Sequence, residues 1–185
     1  MLILASTSPR RREILSEITT EFEVVESNFV EKINSEINPN QVVLDLAYGK
    51  GREVLGRYPE DVIIAGDTVV YHDFTPIGKA KSKHQAWEML RSFSGSQVQI
   101  YTATAILTKS KILIESTCAN VIFNTISSDF IEAYLDDTEA DWMDKAGAFA
   151  VQGKAASFTH VEGEWSTAVG LSKNFLEKNL PGFLA

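Results

Sequence analysis

The sequence predicts a mixed α/β protein, and three features carry that expectation. The stretch Val62 to Tyr71 is an apolar, β-branched run of the kind found in a strand covered on both faces. A capping side chain followed by proline opens two helical stretches, at Ser8-Pro9 and Asn38-Pro39. Two further apolar stretches, Val98 to Leu107 and Ile112 to Phe123, are joined by Lys109-Ser110-Lys111 and form a long hairpin pattern.

In chain order, Leu2 to Ala5 is a short apolar strand, followed by the hydroxyl-rich loop Ser6-Thr7-Ser8 and a helix running to about Ile18. Its inward face is Ile14, Leu15 and Ile18. Arg10, Arg11 and Arg12 occupy the first turn, the wrong sign for a helix N-terminus, where the macrodipole favours anions by roughly 0.3–1 kcal/mol per charge. A bound anion reverses that penalty, so strand, hydroxyl loop, unpaired N–H groups and guanidinium groups together make a candidate phosphate cradle. Phe22 to Val25 alternates as a second strand, and Ser27 to Asn38 is a polar loop containing Glu31.

The helix from Asn38-Pro39 extends to about Tyr58, with an inward stripe of Val43, Ala47, Lys50 and Val54. A lysine on that apolar stripe, flanked by Gly49 and Gly51, points to close packing or to a ligand beside it. Asp67 then stands in the middle of the apolar run. An uncompensated carboxylate there costs several kcal/mol; a metal ion, a neighbouring Lys or Arg, or a wet cleft would offset it. Gly66 next to it admits a close neighbour.

His72 to Pro76 is turn-rich, and Gly78-Lys79-Ala80-Lys81 places two lysines on one side of an extended segment, suited to a single polyphosphate. Ser82-Lys83-His84-Gln85 is a capping box for a helix with Ala86, Met89, Leu90 and Phe93 inward and Gly95 as its stop. After the hairpin, Ser128 caps a helix through Leu135, and Asp136 to Asp141 is an acidic surface turn. Asp144 to Gly153 mixes charges and small residues with Gln152, a donor and acceptor that could meet a base edge. Phe158 to Val161, Glu162-Gly163 and Trp165 suggest a last hairpin, and Leu171 to Leu180 a closing helix.

With 185 residues, 44% of them hydrophobic, the chain can bury one sizeable core and is expected to form a single domain over residues 1–185. Seventeen Lys and Arg against 25 Asp and Glu leave a net charge of −8. That repels a nucleic-acid backbone and favours small anions held in a local basic pocket. One cysteine, Cys118, excludes an internal disulfide and points to a reducing, cytoplasmic setting. The apolar start Met1 to Ala5 is too short for a signal peptide, and no run approaches the ~20 residues of a membrane span. The residue chemistry therefore points to phosphate handling: basic groups for phosphate oxygens, and an acid able to hold Mg²⁺ or take a proton from an attacking water. A non-catalytic nucleotide-binding regulator would use the same parts.

The chain also resembles the Maf (septum formation inhibitor) proteins, which are nucleoside triphosphate pyrophosphatases. The likeness is collinear from Leu2 to about Leu171. It is carried by Leu4-Ala5-Ser6-Thr7-Ser8-Pro9-Arg10-Arg11, Glu31, Lys50, Gly66-Asp67-Thr68, Gly78-Lys79-Ala80-Lys81, Ser94-Gly95, and Asp144-Lys145-Ala146-Gly147-Ala148 through Gln152-Gly153. Departures from the family pattern include Ala65-Gly66 before Asp67, Gln97 where a histidine is usual, Ala103 after Thr102, Phe149-Ala150-Val151 before Gln152, and Ser172 after Leu171.

The resemblance implies an elongated mixed β-sheet flanked by helices, with two lobes around a central cleft, a Maf/ITPase-like fold that is often dimeric. It implies hydrolysis of a nucleoside triphosphate to the monophosphate and pyrophosphate with Mg²⁺ or Mn²⁺. In that scheme Asp67 is the proton acceptor and, with Glu31, a metal ligand. Ser8, Arg10, Arg11, Lys50, Lys79 and Lys81 grip the triphosphate. Arg10, Thr68 and Gln152 match the subgroup acting on dTTP and UTP, including modified pyrimidine nucleotides.

Overall fold

A computed structural model describes residues 1–31, 37–137 and 142–184. Of the polar loop expected over 27–38, residues 32–36 lie outside the described residues, as do residues 138–141 of the expected acidic turn. The strands are β1 (Leu2–Leu4), β2 (Glu23–Val24), β3 (Val62–His72), β4 (Thr75–Ile77), β5 (Gln97–Leu107), β6 (Ile112–Phe123) and β7 (Thr159–Glu162). The helices are α1 (Pro9–Ser16), α2 (Pro39–Arg57), α3 (Lys83–Phe93), α4 (Ser128–Asp136), α5 (Trp165–Val169), α6 (Lys173–Asn179) and α7 (Pro181–Leu184). A 3₁₀ turn spans Lys154–Ser157. The α/β class is as expected.

The strands form one mixed sheet in the order β2-β1-β3-β5-β6-β7, with β4 pairing β3. β1 runs parallel to both β2 and β3, with Ile3 opposite Glu23 and Ile63. β4 is antiparallel to β3, and β7 to β6. The chain divides into two compact units. The first comprises Met1–Thr68, Tyr101–Thr117 and Gly170–Ala185, and the second Val69–Ile100 and Cys118–Val169.

In the first unit α2 presents Val54 and Leu55 to one face of the sheet, against Ile3, Ala5, Ile63, Ala65, Ala105 and Leu107. Contact is close: a Cβ on Gly51 would lie 2.4 Å from Leu107 Cδ1 and 3.2 Å from Ala65 Cβ. Gly51 is thus where helix and sheet touch. In the second unit Phe93, Phe123, Phe149, Phe158 and Tyr134 form a chain of tilted and edge-to-face rings. Tyr134 donates its hydroxyl to Ala148 O at 3.2 Å.

Ser8 and Asn38 cap α1 and α2, with Pro9 and Pro39 in their first turns, as the sequence implies. Elsewhere the structure corrects the expectation. α4 is capped by Ser127, whose side chain accepts from Phe130 N, and not by Ser128. Gln85 accepts from Lys81 N at 2.7 Å, so the capping box closes one residue earlier than the motif implies. Met89 is only half-buried on α3. The turn-rich stretch after β3 contains strand β4, reached through Asp73 and Phe74 at φ 46° and 62°. No hairpin follows Phe158: β7 pairs with β6, and Trp165 begins α5 after Gly163 turns the chain at φ 107°. The closing helix is α6, capped by Ser172, and Pro181 starts the separate turn α7.

Candidate active site

Strand pleating gives the two neighbours Asp67 and Thr68 different surroundings. Asp67 lies in register with Ile63 and Ala65, the residues that face α2, and two residues further along. Lys50 precedes Val54 by four residues on α2, one turn further along the same inward face. The register that packs Val54 on the sheet therefore brings the lysine to the acid. Lys50 Nζ contacts Asp67 Oδ1 and lies 2.7 Å from Glu31 Oε1. The Asp67 side chain is 7% exposed, that of Lys50 14% and that of Glu31 49%. Burial pushes the Asp67 carboxyl above its ordinary range, against the opposing pull of Lys50 and Arg11.

Thr68, on the other face, belongs to an arginine-centred network. Arg11 donates from Nε to Gly170 O at 2.9 Å, from Nη1 to Ser6 Oγ at 3.2 Å and from Nη2 to Thr68 Oγ1 at 3.3 Å. Thr68 Oγ1 lies 3.0 Å from Thr102 Oγ1 on β5, and Thr102 is fully buried. Burial lowers the Arg11 pKa, with Asp67 pulling the other way, but a guanidinium stays charged through the physiological range. One arginine thus ties together the loop after β1, strand β3 and the segment entering α6. Gly170, at φ 134°, suits this junction: a Cβ there would lie 3.4 Å from Arg11 Nε and 3.5 Å from Thr68 Oγ1.

Between these two groups lies a pocket of about 250 Å³, lined by Ala5, Ser6, Thr7, Ser8, Arg11, Glu26, Ser27 and Lys50. Ser8 Oγ accepts from Arg11 N at 3.5 Å, and Ser8 N donates to Ser6 Oγ at 3.3 Å. α1 carries no acidic residue in its first turn. A larger hollow of about 750 Å³ flanks the same loop and is lined by Arg12, Glu13 and Glu17, but not by Lys50. The smaller pocket is the one that carries Lys50 and Arg11.

The structure thus brings together Ser8, Arg11, Glu31, Lys50, Asp67 and Thr68 within the first unit. Arg10 is half-buried in the first turn of α1, beside Arg11 and lowering its pKa. Lys79, Lys81 and Gln152 belong to the second unit. Lys79 bridges to Ala146, its ammonium 3.9 Å from Asp144, while Lys81 and Gln152 are exposed. Sequence reasoning placed Ser6 in the hydroxyl loop of the phosphate cradle but missed Thr102 and Gly170 as partners of the site. Two threonines at alternate positions inside an apolar strand, Thr102 and Thr104, were the available signal; Thr104 Oγ1 accepts Ser172 N at 2.8 Å.

Among the described residues no helix is long and apolar enough to cross a membrane, and no group of three or more His, Cys, Asp or Glu is placed to hold a metal by itself. A dTTP/UTP pyrophosphatase of Alkaliphilus oremlandii (strain OhILAs) is 39% identical over 92% of this chain and 89% of its own length. Those of Geobacillus sp. (strain WCH70) and Bacillus mycoides (strain KBAB4) are 38% and 34% identical. They cover 92% and 98% of this chain, and 91% and 95% of their own lengths. Among solved structures, the Staphylococcus aureus Ham1 protein and a HAM1 protein from Coxiella burnetii share the fold at TM-scores of 0.51 and 0.52. Both cover 98% of each chain at only 14% and 13% identity. The sequence model of the Maf-like proteins matches residues 1–183, and with relatives this similar along nearly its whole length the chain belongs to the Maf-like protein family.

Proposed function

We propose that the chain hydrolyses nucleoside triphosphates, dTTP and UTP foremost, to the monophosphate and pyrophosphate. One observation carries this: a buried carboxylate, Asp67, held by Lys50 beside a small pocket built from the Ser6–Ser8 loop, Arg11 and the N-terminal end of α1. The names of the relatives support the substrate class.

The triphosphate settles with its oxygens toward Lys50 and the N-terminal end of α1, where the macrodipole and fixed cations favour negative charge. Arg10 is assigned to the same phosphates, and Lys79 and Lys81 of the second unit to phosphate binding as well. Asp67 accepts the proton of the attacking water as the bond between the α- and β-phosphates breaks and pyrophosphate departs. Its upward-shifted pKa suits that role, since a base works best when its pKa lies near the operating pH. Arg11, bonded to three protein acceptors, fixes Thr68 and the Ser6 loop while it lines the pocket that takes the phosphates.

The residues also fit a divalent cation. Glu31 and Asp67 direct carboxylate oxygens at one point, where Lys50 Nζ stands, and one or two carboxylates plus substrate phosphates is a typical Mg²⁺ environment. Mg²⁺ or Mn²⁺ bound there would add charge neutralisation for the triphosphate. Thr68, Arg10 and Gln152 are assigned to base selection; the amide of Gln152 can pair with the alternating edge of thymine or uracil. Pyrophosphate release from dTTP, UTP, CTP and GTP by the purified chain tests the proposal. Nucleotide binding without release would leave a non-catalytic regulator instead.

A further inference from the structure

Lys50 stands where a cation is called for. Its one ammonium serves two carboxylates, Glu31 at 2.7 Å and Asp67 in direct contact, so the trio carries a net charge of −1, with Arg11 the further cation that acts on it. Asp67 is fixed in the middle of a strand, whereas Lys50 ends a flexible four-carbon stem and can move. It also has somewhere to go, because Lys50 lines the phosphate pocket with Arg11 and the Ser6–Ser8 loop. A divalent ion drawn to the same two carboxylates would have to sit within about 2.0–2.6 Å of their oxygens, a space the ammonium fills.

We propose that Lys50 is an exchangeable occupant of the cation seat: its ammonium neutralises Glu31 and Asp67 when no nucleotide is bound, and yields both carboxylates to a divalent cation as it turns to the incoming phosphates. This rests on the reading that Glu31 and Asp67 serve a metal. It goes further by making metal and nucleotide binding interdependent through one side chain. The protein alone then binds the metal weakly, and each ligand strengthens the other by the same factor.

The experiment is titration of Mn²⁺ alone into the full chain, followed by calorimetry and by the electron paramagnetic resonance of free Mn²⁺, near pH 8, above the ordinary carboxylate range. Parent, Lys50→Met, Lys50→Gln and Lys50→Met with Glu31→Gln are compared, each checked by circular dichroism. Removing the ammonium tightens Mn²⁺ binding at least about tenfold, a floor well below the repulsion of two cations a few ångströms apart at protein dielectric. Adding Glu31→Gln reverses the gain, and Mn²⁺ raises the melting temperature of Lys50→Met more than that of the parent. Lys50→Gln keeps a donor for both carboxylates and decides the matter if Lys50→Met does not fold. Unchanged or weaker Mn²⁺ binding in a folded Lys50 variant overturns the proposal. Hydrolysis of dTTP by the parent is measured separately with and without Mn²⁺. Loss of the pyrophosphatase reading therefore registers there, and not in the metal titration.

Discussion

Replacing Gly66 by alanine places a methyl group where β3 meets the C-terminal segment, immediately before Asp67. That carbon would lie 2.6 Å from Leu171 Cδ2, 3.1 Å from Ala103 O and 3.4 Å from Gly170 O. Leu171 is fully buried and Ala103 O is backbone, so neither can retreat without moving the sheet or the segment. Overpacking of this kind costs about 1–3 kcal/mol. For a chain of this size, at about 2–4 °C per kcal/mol, the melting temperature falls by about 2–12 °C. The same substitution at Gly56 should act in the opposite direction. Gly56 lies in the last turns of α2, exposed, with nothing within 4 Å of an added Cβ. Alanine gains up to about 1 kcal/mol of helix propensity there, a rise of about 1–4 °C. Calorimetry of both variants, with dTTP hydrolysis for Gly66→Ala, measures the contrast. An unchanged melting temperature and full activity in Gly66→Ala would refute the close approach of Leu171 to the strand that carries Asp67.

Three further outcomes follow from the site. Arg11→Ala leaves Gly170 O without its side-chain donor, at about 1–3 kcal/mol, while Ser6 Oγ keeps Ser8 N and Thr68 Oγ1 keeps Thr102 Oγ1; urea melts with stability unchanged would show that Arg11 acts on substrate alone. Asp67 has its pKa raised in the folded protein, so the native state keeps a proton that the unfolded chain has released. Its contribution to stability is therefore greatest below the unfolded value and declines as pH rises through the folded one. Asp67→Asn should lack that decline in urea melts of the ligand-free protein, and parallel profiles for parent and variant would contradict it. Lys79→Ala removes only an exposed pair with Asp144, so stability should change by less than about 0.5 kcal/mol while KM for the triphosphate rises; an unchanged KM would remove Lys79 from the substrate site.

What the sequence made legible was local. Ser8-Pro9, Asn38-Pro39 and the apolar run around Asp67 each encode their element within a few residues, and Lys50 betrayed itself by sitting on an apolar stripe. A lysine partner for Asp67 was one of three options, and only the register of α2 on the sheet selects it. The arginine network was not legible, because Arg11 reaches Thr68 and Gly170 across 57 and 159 residues. Nothing near Arg11 in the sequence marks it as a donor to distant protein groups. Ser127 and Ser128 are chemically equivalent caps, so a one-residue error there was built into the pattern. β4 was hidden by its turn, since Phe74 adopts a left-handed conformation that its bulky side chain does not signal, although Asp73 before it is of a type that tolerates one. At Gly163 the positive φ of a turn occurs, yet the chain continues into α5.

The most direct test of the central claim is the identity of the products from dTTP. Purified chain is incubated with dTTP and Mg²⁺ or Mn²⁺, and nucleotides and inorganic products are resolved by phosphorus NMR, for the parent and for Asp67→Asn. The account predicts dTMP and pyrophosphate in equal amounts from the parent. It predicts almost none from the variant, whose circular dichroism stays that of the folded protein, because an amide of the same shape cannot take the proton. Release of dTDP and phosphate, or near-parental turnover in Asp67→Asn, would contradict it.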